Sequence, residues 1–182
     1  MSILVTGGAR SGKSGFAERL TLSLAGQAVY VATGQAFDDE MKARIDLHRR
    51  QREESGGQWE TVEEPLDLPG LLQQLSGGGA VLVDCLTLWL SNVLLAVESG
   101  PDRQERVEEE IARLEEAAAA FQGTLVLVTN EVGDGIVPEY ALGRLYRDLA
   151  GRMNARLAAG CQQVFLVTAG IPIELKSREY KL

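Results

Sequence analysis

The chain has 182 residues, 45% of them hydrophobic and 24% charged, with a formal net charge of −8. That length fits one domain, spanning 1–182, around a sheet-based core, and argues against a second full one. The apolar runs are too short to cross a bilayer, and an acidic surface repels a polyphosphate backbone, which excludes a general nucleic-acid partner.

In chain order, the β-branched run Ser2 to Thr6 reads as a strand buried on both faces. No basic stretch followed by an apolar segment precedes it, so no secretory signal is visible and a cytoplasmic location is expected. The strand runs into Gly7-Gly8-Ala9-Arg10-Ser11-Gly12-Lys13-Ser14, which satisfies G-x-x-x-x-G-K-[ST] and opens a helix predicted from Lys13 to Leu24. Glycines let the backbone curl so that successive N–H groups face one anion, and the helix N-terminus adds partial positive charge. Lys13 is then expected to bridge the β- and γ-phosphates, and Ser14 to ligate Mg²⁺.

A second strand, Ala28 to Thr33, precedes a charged helix predicted from Asp38 to Glu54, where Glu40, Arg44, His48 and Arg52 recur on one face. His48 is the single histidine. Neighbouring guanidiniums disfavour its imidazolium form, leaving a ring nitrogen free to act as nucleophile. Arg44, Arg49, Arg50 and Arg52 are placed to hold phosphoryl oxygens; the other reading is a solvated basic face with an idle histidine.

Gly56-Gly57 and Gly77-Gly78-Gly79 mark loops, and Ala80 to Asp84 is the next strand. Asp84, an acid at the end of a buried strand, is the expected second metal-site residue, with an N-cap role before the helix Leu86 to Glu98 as its alternative. The Glu- and Ala-rich helix Asp102 to Phe121 reads as a solvated outer element. A strand at Thr124 to Thr129, a helix at Glu139 to Ala159, and strands at Gln163 to Thr168 and Ile171 to Lys176 complete the pattern. Cys85 and Cys161 lack metal-type spacing and read as core thiols. Alternation of strand and helix predicts an α/β, mainly parallel sheet with helices on both faces, here the P-loop NTPase, RecA-like three-layer fold.

Taken together, Ile3 to Ser14, Tyr30-Val31-Ala32-Thr33, Asp38-Asp39-Glu40-Met41 with Arg44-Ile45 and His48, Trp59 to Glu63, Asp84-Cys85-Leu86-Thr87, Thr129 to Pro138 and Arg147 to Asn154 resemble one family. It is the bifunctional adenosylcobinamide kinase / adenosylcobinamide-phosphate guanylyltransferase family of cobalamin biosynthesis. The resemblance implies phosphorylation of the adenosylcobinamide hydroxyl with ATP or GTP, then transfer of GMP from GTP onto that phosphate, to give adenosyl-GDP-cobinamide. It implies that the guanylyl group rests on His48. It also places nucleotide contacts on Gly7 to Ser14, Thr33-Gly34-Gln35, Arg49-Arg50-Gln51-Arg52, Glu63 and Asp84, and it implies a homotrimer with sites near subunit boundaries.

Three departures from the family pattern matter. Leu47 stands where a relative has a second histidine, leaving His48 as sole candidate. Glu53-Glu54-Ser55-Gly56-Gly57 replaces a short proline turn, so the placement of Glu63 depends on that loop. Asp84 is shorter by one methylene than the glutamate of some relatives. Two rival readings are a P-loop kinase of another small molecule without nucleotidyl transfer, and a non-enzymatic nucleotide sensor. The sensor's switch version lacks a guanine-reading N-K-x-D motif.

Overall fold

A computed structural model describes residues 1–35, 56–97 and 100–181. Within these, strands β1 (Ser2–Thr6), β2 (Gln27–Ala32), β3 (Gln58–Glu63), β4 (Ala80–Asp84), β5 (Thr124–Val128), β6 (Gln163–Thr168) and β7 (Ile171–Glu174) form one sheet in the order β3-β2-β4-β5-β1-β6-β7. All pairings are parallel except the β6–β7 hairpin. The helices are α1 (Lys13–Leu24), α2 (Leu68–Leu75), α3 (Leu86–Ala96), α4 (Arg103–Ala120) and α5 (Ala141–Gly160).

The period-2 geometry of a strand divides each central strand between two cores. Ile3, Val5, Tyr30, Leu82, Val126 and Val128 pack with Ala17 of α1 on one face. Leu4, Val31, Val81, Val83, Leu125 and Leu127 pack on the other against α2, α3, α4 and α5, whose contributions include Leu72, Trp89, Ile111 and Met153. Both faces of the sheet are therefore dry, which is why these strands read as continuous apolar runs. The expected outer helix α4 carries its charges outward but turns a stripe of Val107, Ile111, Leu114 and Ala118 into the core.

Two elements have no counterpart in the sequence reading. β3 is an edge strand whose Trp59 and Val62 are only half-buried while its other residues are exposed, so it offers no apolar run. α2 is eight residues long and has Pro69 and Gly70 in its first turn, which look like loop punctuation. Proline suits a helix's first turn, and the Asp67 carboxylate accepts from Gly70 N at 3.3 Å to cap it. The predicted helix Asp38 to Glu54 lies outside the described residues.

Candidate functional site

Strand register assembles the site. Glu63 is level with Ala32, Ala32 with Asp84, Asp84 with Val128, Val128 with Val5, and Val5 with Phe165. The carboxyl ends of β3, β2, β4, β5 and β1 thus stop within about a residue of one height, where open α/β sheets bind ligands, while β6 runs on to Thr168. Level partners in a parallel sheet point to the same face, so Glu63 and Asp84 share the face of Val5 and Val128, the one α1 covers. With about 4.8 Å between strands, Glu63 and Asp84 rise about 10 Å apart at the backbone.

Between β1 and α1, Gly7 to Gly12 forms the turn, and Lys13 and Ser14 open the helix. Gly12 takes a left-handed φ of 92° as N-cap of α1, and Arg10, with φ 56°, does the same without glycine's freedom. A Cβ on Gly7 would lie 2.4 Å from the Val167 carbonyl oxygen, so only glycine fits this close approach. Two neighbouring loops hold the turn: Glu131 N donates to Gly7 O at 3.1 Å, and Gly170 N to Ser11 O at 2.8 Å. The first helical bond of α1 is Phe16 N to Gly12 O, so the amides of Lys13, Ser14 and Gly15 precede the ladder. Lys13 is buried, and its Nζ donates to Gly8 O at 3.1 Å, folding the cation back over the turn. The Ser11 hydroxyl is buried without a hydrogen-bond partner among the described residues.

Across β5 from this loop, Tyr30 Oη donates to Asp84 Oδ2 at 3.2 Å. Asp84 does not cap α3; Cys85 occupies that position, without a side-chain capping bond. The Thr33 hydroxyl donates to Cys85 O at 2.7 Å and accepts from Cys85 N at 2.9 Å, tying the end of β2 to the end of β4. Gly34 and Gln35 follow, half-buried. His48, Arg49, Arg50, Gln51 and Arg52, with Arg44, lie outside the described residues.

Beneath these loops runs a buried polar network. Asn130 Nδ2 donates to Thr87 Oγ1 at 2.8 Å, Thr129 Oγ1 donates to Asn154 Oδ1 at 2.7 Å, and Asn154 Nδ2 returns to Asn130 O at 3.1 Å. Tyr146 Oη donates to Thr87 O at 3.0 Å. Glu131 turns its carboxylate onto Gly133 N at 2.7 Å. Burial pushes the Cys85 thiol above its usual range, with the Asp84 charge adding to it, and burial chiefly raises Tyr146 to about 12. Both are neutral at pH 7, so Cys85 serves as a packed thiol rather than a thiolate. The sequence reading gave Tyr30, Thr87 and Asn154 no role of their own and did not single out Asn92; for Thr87 and Asn92 the available signal was a polar residue inside an apolar helix, which needs a partner when buried.

Residues 3–175 match the protein family described as cobinamide kinase / cobinamide phosphate guanyltransferase. The chain belongs to that family. It is 43% identical over 185 residues to the bifunctional adenosylcobalamin biosynthesis protein CobU of Escherichia coli, covering 97% of this chain and 100% of that one. Identity to the protein of the same name from Salmonella typhimurium is 44%, with the same coverage. The bifunctional adenosylcobalamin biosynthesis protein CobP of Pseudomonas aeruginosa is 43% identical, covering 97% of this chain and 98% of that protein. The family match spans both the assembled loops and the segment that carries His48.

Proposed function

We propose how this site divides its labour between the two reactions that family membership gives the enzyme. These are phosphorylation of the adenosylcobinamide hydroxyl with ATP or GTP, and transfer of GMP from GTP onto the resulting phosphate. The observation that carries the reading is the level row from Glu63 through Asp84 to Val5, with Asp84 on the α1 face. In our reading Gly7, Gly8, Ala9, Arg10, Ser11 and Gly12 cradle the triphosphate with their amides, Lys13 neutralises its β- and γ-oxygens, and the buried Ser11 hydroxyl gains its partner from the nucleotide. Thr33, Gly34, Gln35, Glu63 and Arg49 to Arg52 hold the rest of the nucleotide. This is a P-loop NTPase, RecA-like arrangement in a single domain over 1–182.

The donors present fit Mg²⁺. No group of three or more His, Cys, Asp or Glu comes together among the described residues, but a Mg²⁺ nucleotide site takes only one or two hard oxygen ligands beside phosphates and water. Ser14, at the start of α1, and Asp84, steadied by Tyr30 on the same face, would supply those oxygens. The ion would neutralise charge on the phosphates.

In the guanylyl step the neutral His48 ring nitrogen forms a bond to the GTP α-phosphorus, the bond to the β-phosphate oxygen breaks, and pyrophosphate leaves with that electron pair. A phosphate oxygen of adenosylcobinamide phosphate then attacks the same phosphorus, and the P–N electrons return to His48. The kinase step needs no covalent intermediate, only a γ-phosphoryl held within reach of the substrate hydroxyl. We place the enzyme in the cytoplasm as a homotrimer. Among the described residues no helix is long and apolar enough to cross a membrane.

Incubation with α-labelled GTP tests the assignment. Wild type takes an acid-labile label, and His48→Ala loses the label while retaining kinase activity. An unlabelled wild type refutes the histidine intermediate, and loss of both activities in His48→Ala makes the residue structural.

A further inference from the structure

The stretch Glu131 to Tyr140, between β5 and α5, has an apolar tip open to solvent. Ile136 is 96% exposed, more than any other large hydrophobic side chain among the described residues, with Val137 at 58% and Tyr140 at 68%. The loop is nonetheless held from behind by α5. Arg147 Nη2 donates to Gly133 O, and Arg144 Nη1 donates to Pro138 O at 3.1 Å and to Glu139 O. Pro138 and the Tyr140 ring lie against Gly143, where a Cβ would come within 2.8 Å of the one and 2.7 Å of the other. Both guanidiniums thus face carbonyls, and the stretch itself carries Glu131, Asp134 and Glu139 but no Lys, Arg or His. Asp134 and Glu139 are exposed beside the tip. Clustered apolar side chains in water, rimmed by charge, mark a contact surface. Its place is set by Glu131 N, which bonds Gly7 O at the head of the phosphate loop. Five residues of extended chain keep Ile136 within about 18 Å of that bond.

We propose that Ile136, Val137 and Tyr140 are the contact for the corrin macrocycle of adenosylcobinamide, with Asp134 and Glu139 as its counter-charge. The inference rests on the reading of Gly7 to Ser14 as the triphosphate loop. In the kinase step the substrate hydroxyl must reach the γ-phosphoryl, so the macrocycle, far larger than a nucleotide base, overhangs the surface beside that loop. Its methyl-studded rim and ring faces suit aliphatic and aromatic side chains. Its charge suits the carboxylates: Co(III) held by a monoanionic corrin and an adenosyl carbanion leaves one net positive charge. A loop with carboxylates and no cationic residue of its own attracts that cation and repels a triphosphate. A second copy of this chain, with a formal net charge of −8, meets the same carboxylates with repulsion instead of complementarity.

The test combines Ile136→Ser with Val137→Ser in one variant, both at exposed positions where the fold does not depend on the side chain. Equilibrium dialysis with a non-hydrolysable ATP analogue present, read by the visible absorbance of the corrin, gives the Kd for adenosylcobinamide; steady-state kinase assays give both KM values. The expected result is a Kd and a KM for adenosylcobinamide raised about 10- to 100-fold, with kcat and the KM for ATP within about 3-fold of wild type. Asp134→Asn should weaken corrinoid binding by about 3-fold at low salt, a deficit that fades as salt screens the charge. Unchanged affinity for adenosylcobinamide, or an equal rise in the KM for ATP, overturns the proposal. So does a shift of the sedimentation coefficient in the double variant, which assigns the tip to a contact between copies of the chain. Lys13→Met with wild-type turnover and KM for ATP refutes the triphosphate loop and this proposal with it, whereas an impaired Lys13→Met beside unchanged corrinoid affinity in the double variant refutes this proposal alone.

Discussion

Lys13 is the side chain that the proposed reading uses in both reactions, and its surroundings show how it is held in place. Its backbone opens α1 behind a left-handed glycine, its stem is buried, and its ammonium is folded onto the Gly8 carbonyl. A pre-positioned cation needs no reorganisation as charge moves in the transition state. Lys13→Met keeps the length and apolar stem and deletes the charge. Kinase and guanylyl-transfer rates are both expected to fall by about 100- to 1,000-fold, with the urea unfolding midpoint little changed. His48→Ala, by contrast, is expected to remove one reaction only. Steady-state assay of the two activities in the two variants shows whether the triphosphate loop is shared.

The β6–β7 hairpin supports that loop from the side, because Val167 O abuts Gly7 and Gly170 N bonds Ser11 O. At its far end the Glu174 carboxylate accepts from Ser177 N at 2.6 Å and from Val164 N and Lys176 N at 3.1 Å each. Hydrogen bonds from Ser177 lead in holding this carboxyl at about 2, with those from Val164 and Lys176 adding to them. A folded value below the ordinary 4.5 means that the unfolded chain takes up the proton first. The stabilisation is complete above about 4.5 and is lost as pH falls towards about 2. Glu174→Gln is expected to lower the denaturant midpoint at pH 7, and its deficit against wild type should be smaller at pH 3. A deficit independent of pH would show that the carboxylate charge is not what the hairpin uses.

Across the whole molecule, stability rests on the two dry faces of the sheet rather than on the ion pairs that dress it. Arg152–Glu108 at 3.0 Å and Arg113–Asp67 at 3.2 Å join exposed side chains, where such pairs contribute at most about 1 kcal/mol. Leu125 lies fully buried on β5, the strand separating Asp84 from the glycine loop. Leu125→Ala should cost about 2–5 kcal/mol of unfolding free energy in urea titrations. Glu109→Ala, on the outer face of α4, should stay within about 0.5 kcal/mol. The elements themselves were largely legible from local pattern. Strands with two buried faces are apolar at every step, so β1, β4 and β6 have the bounds that their residues predict, and α1 starts where the glycine motif ends. The exposed edge strand β3 and the short α2 lack that contrast and stayed hidden. The motif and the wider resemblance also named the chemistry, because a phosphate loop is a local object whose residues are contiguous. Only the tertiary structure decided that Glu63, Asp84 and Val5 share one height, that Tyr30 steadies Asp84, and that Asn92 joins Thr33 to Pro65. Strand order, register and the reach of a buried amide are non-local, set by which surfaces pack together.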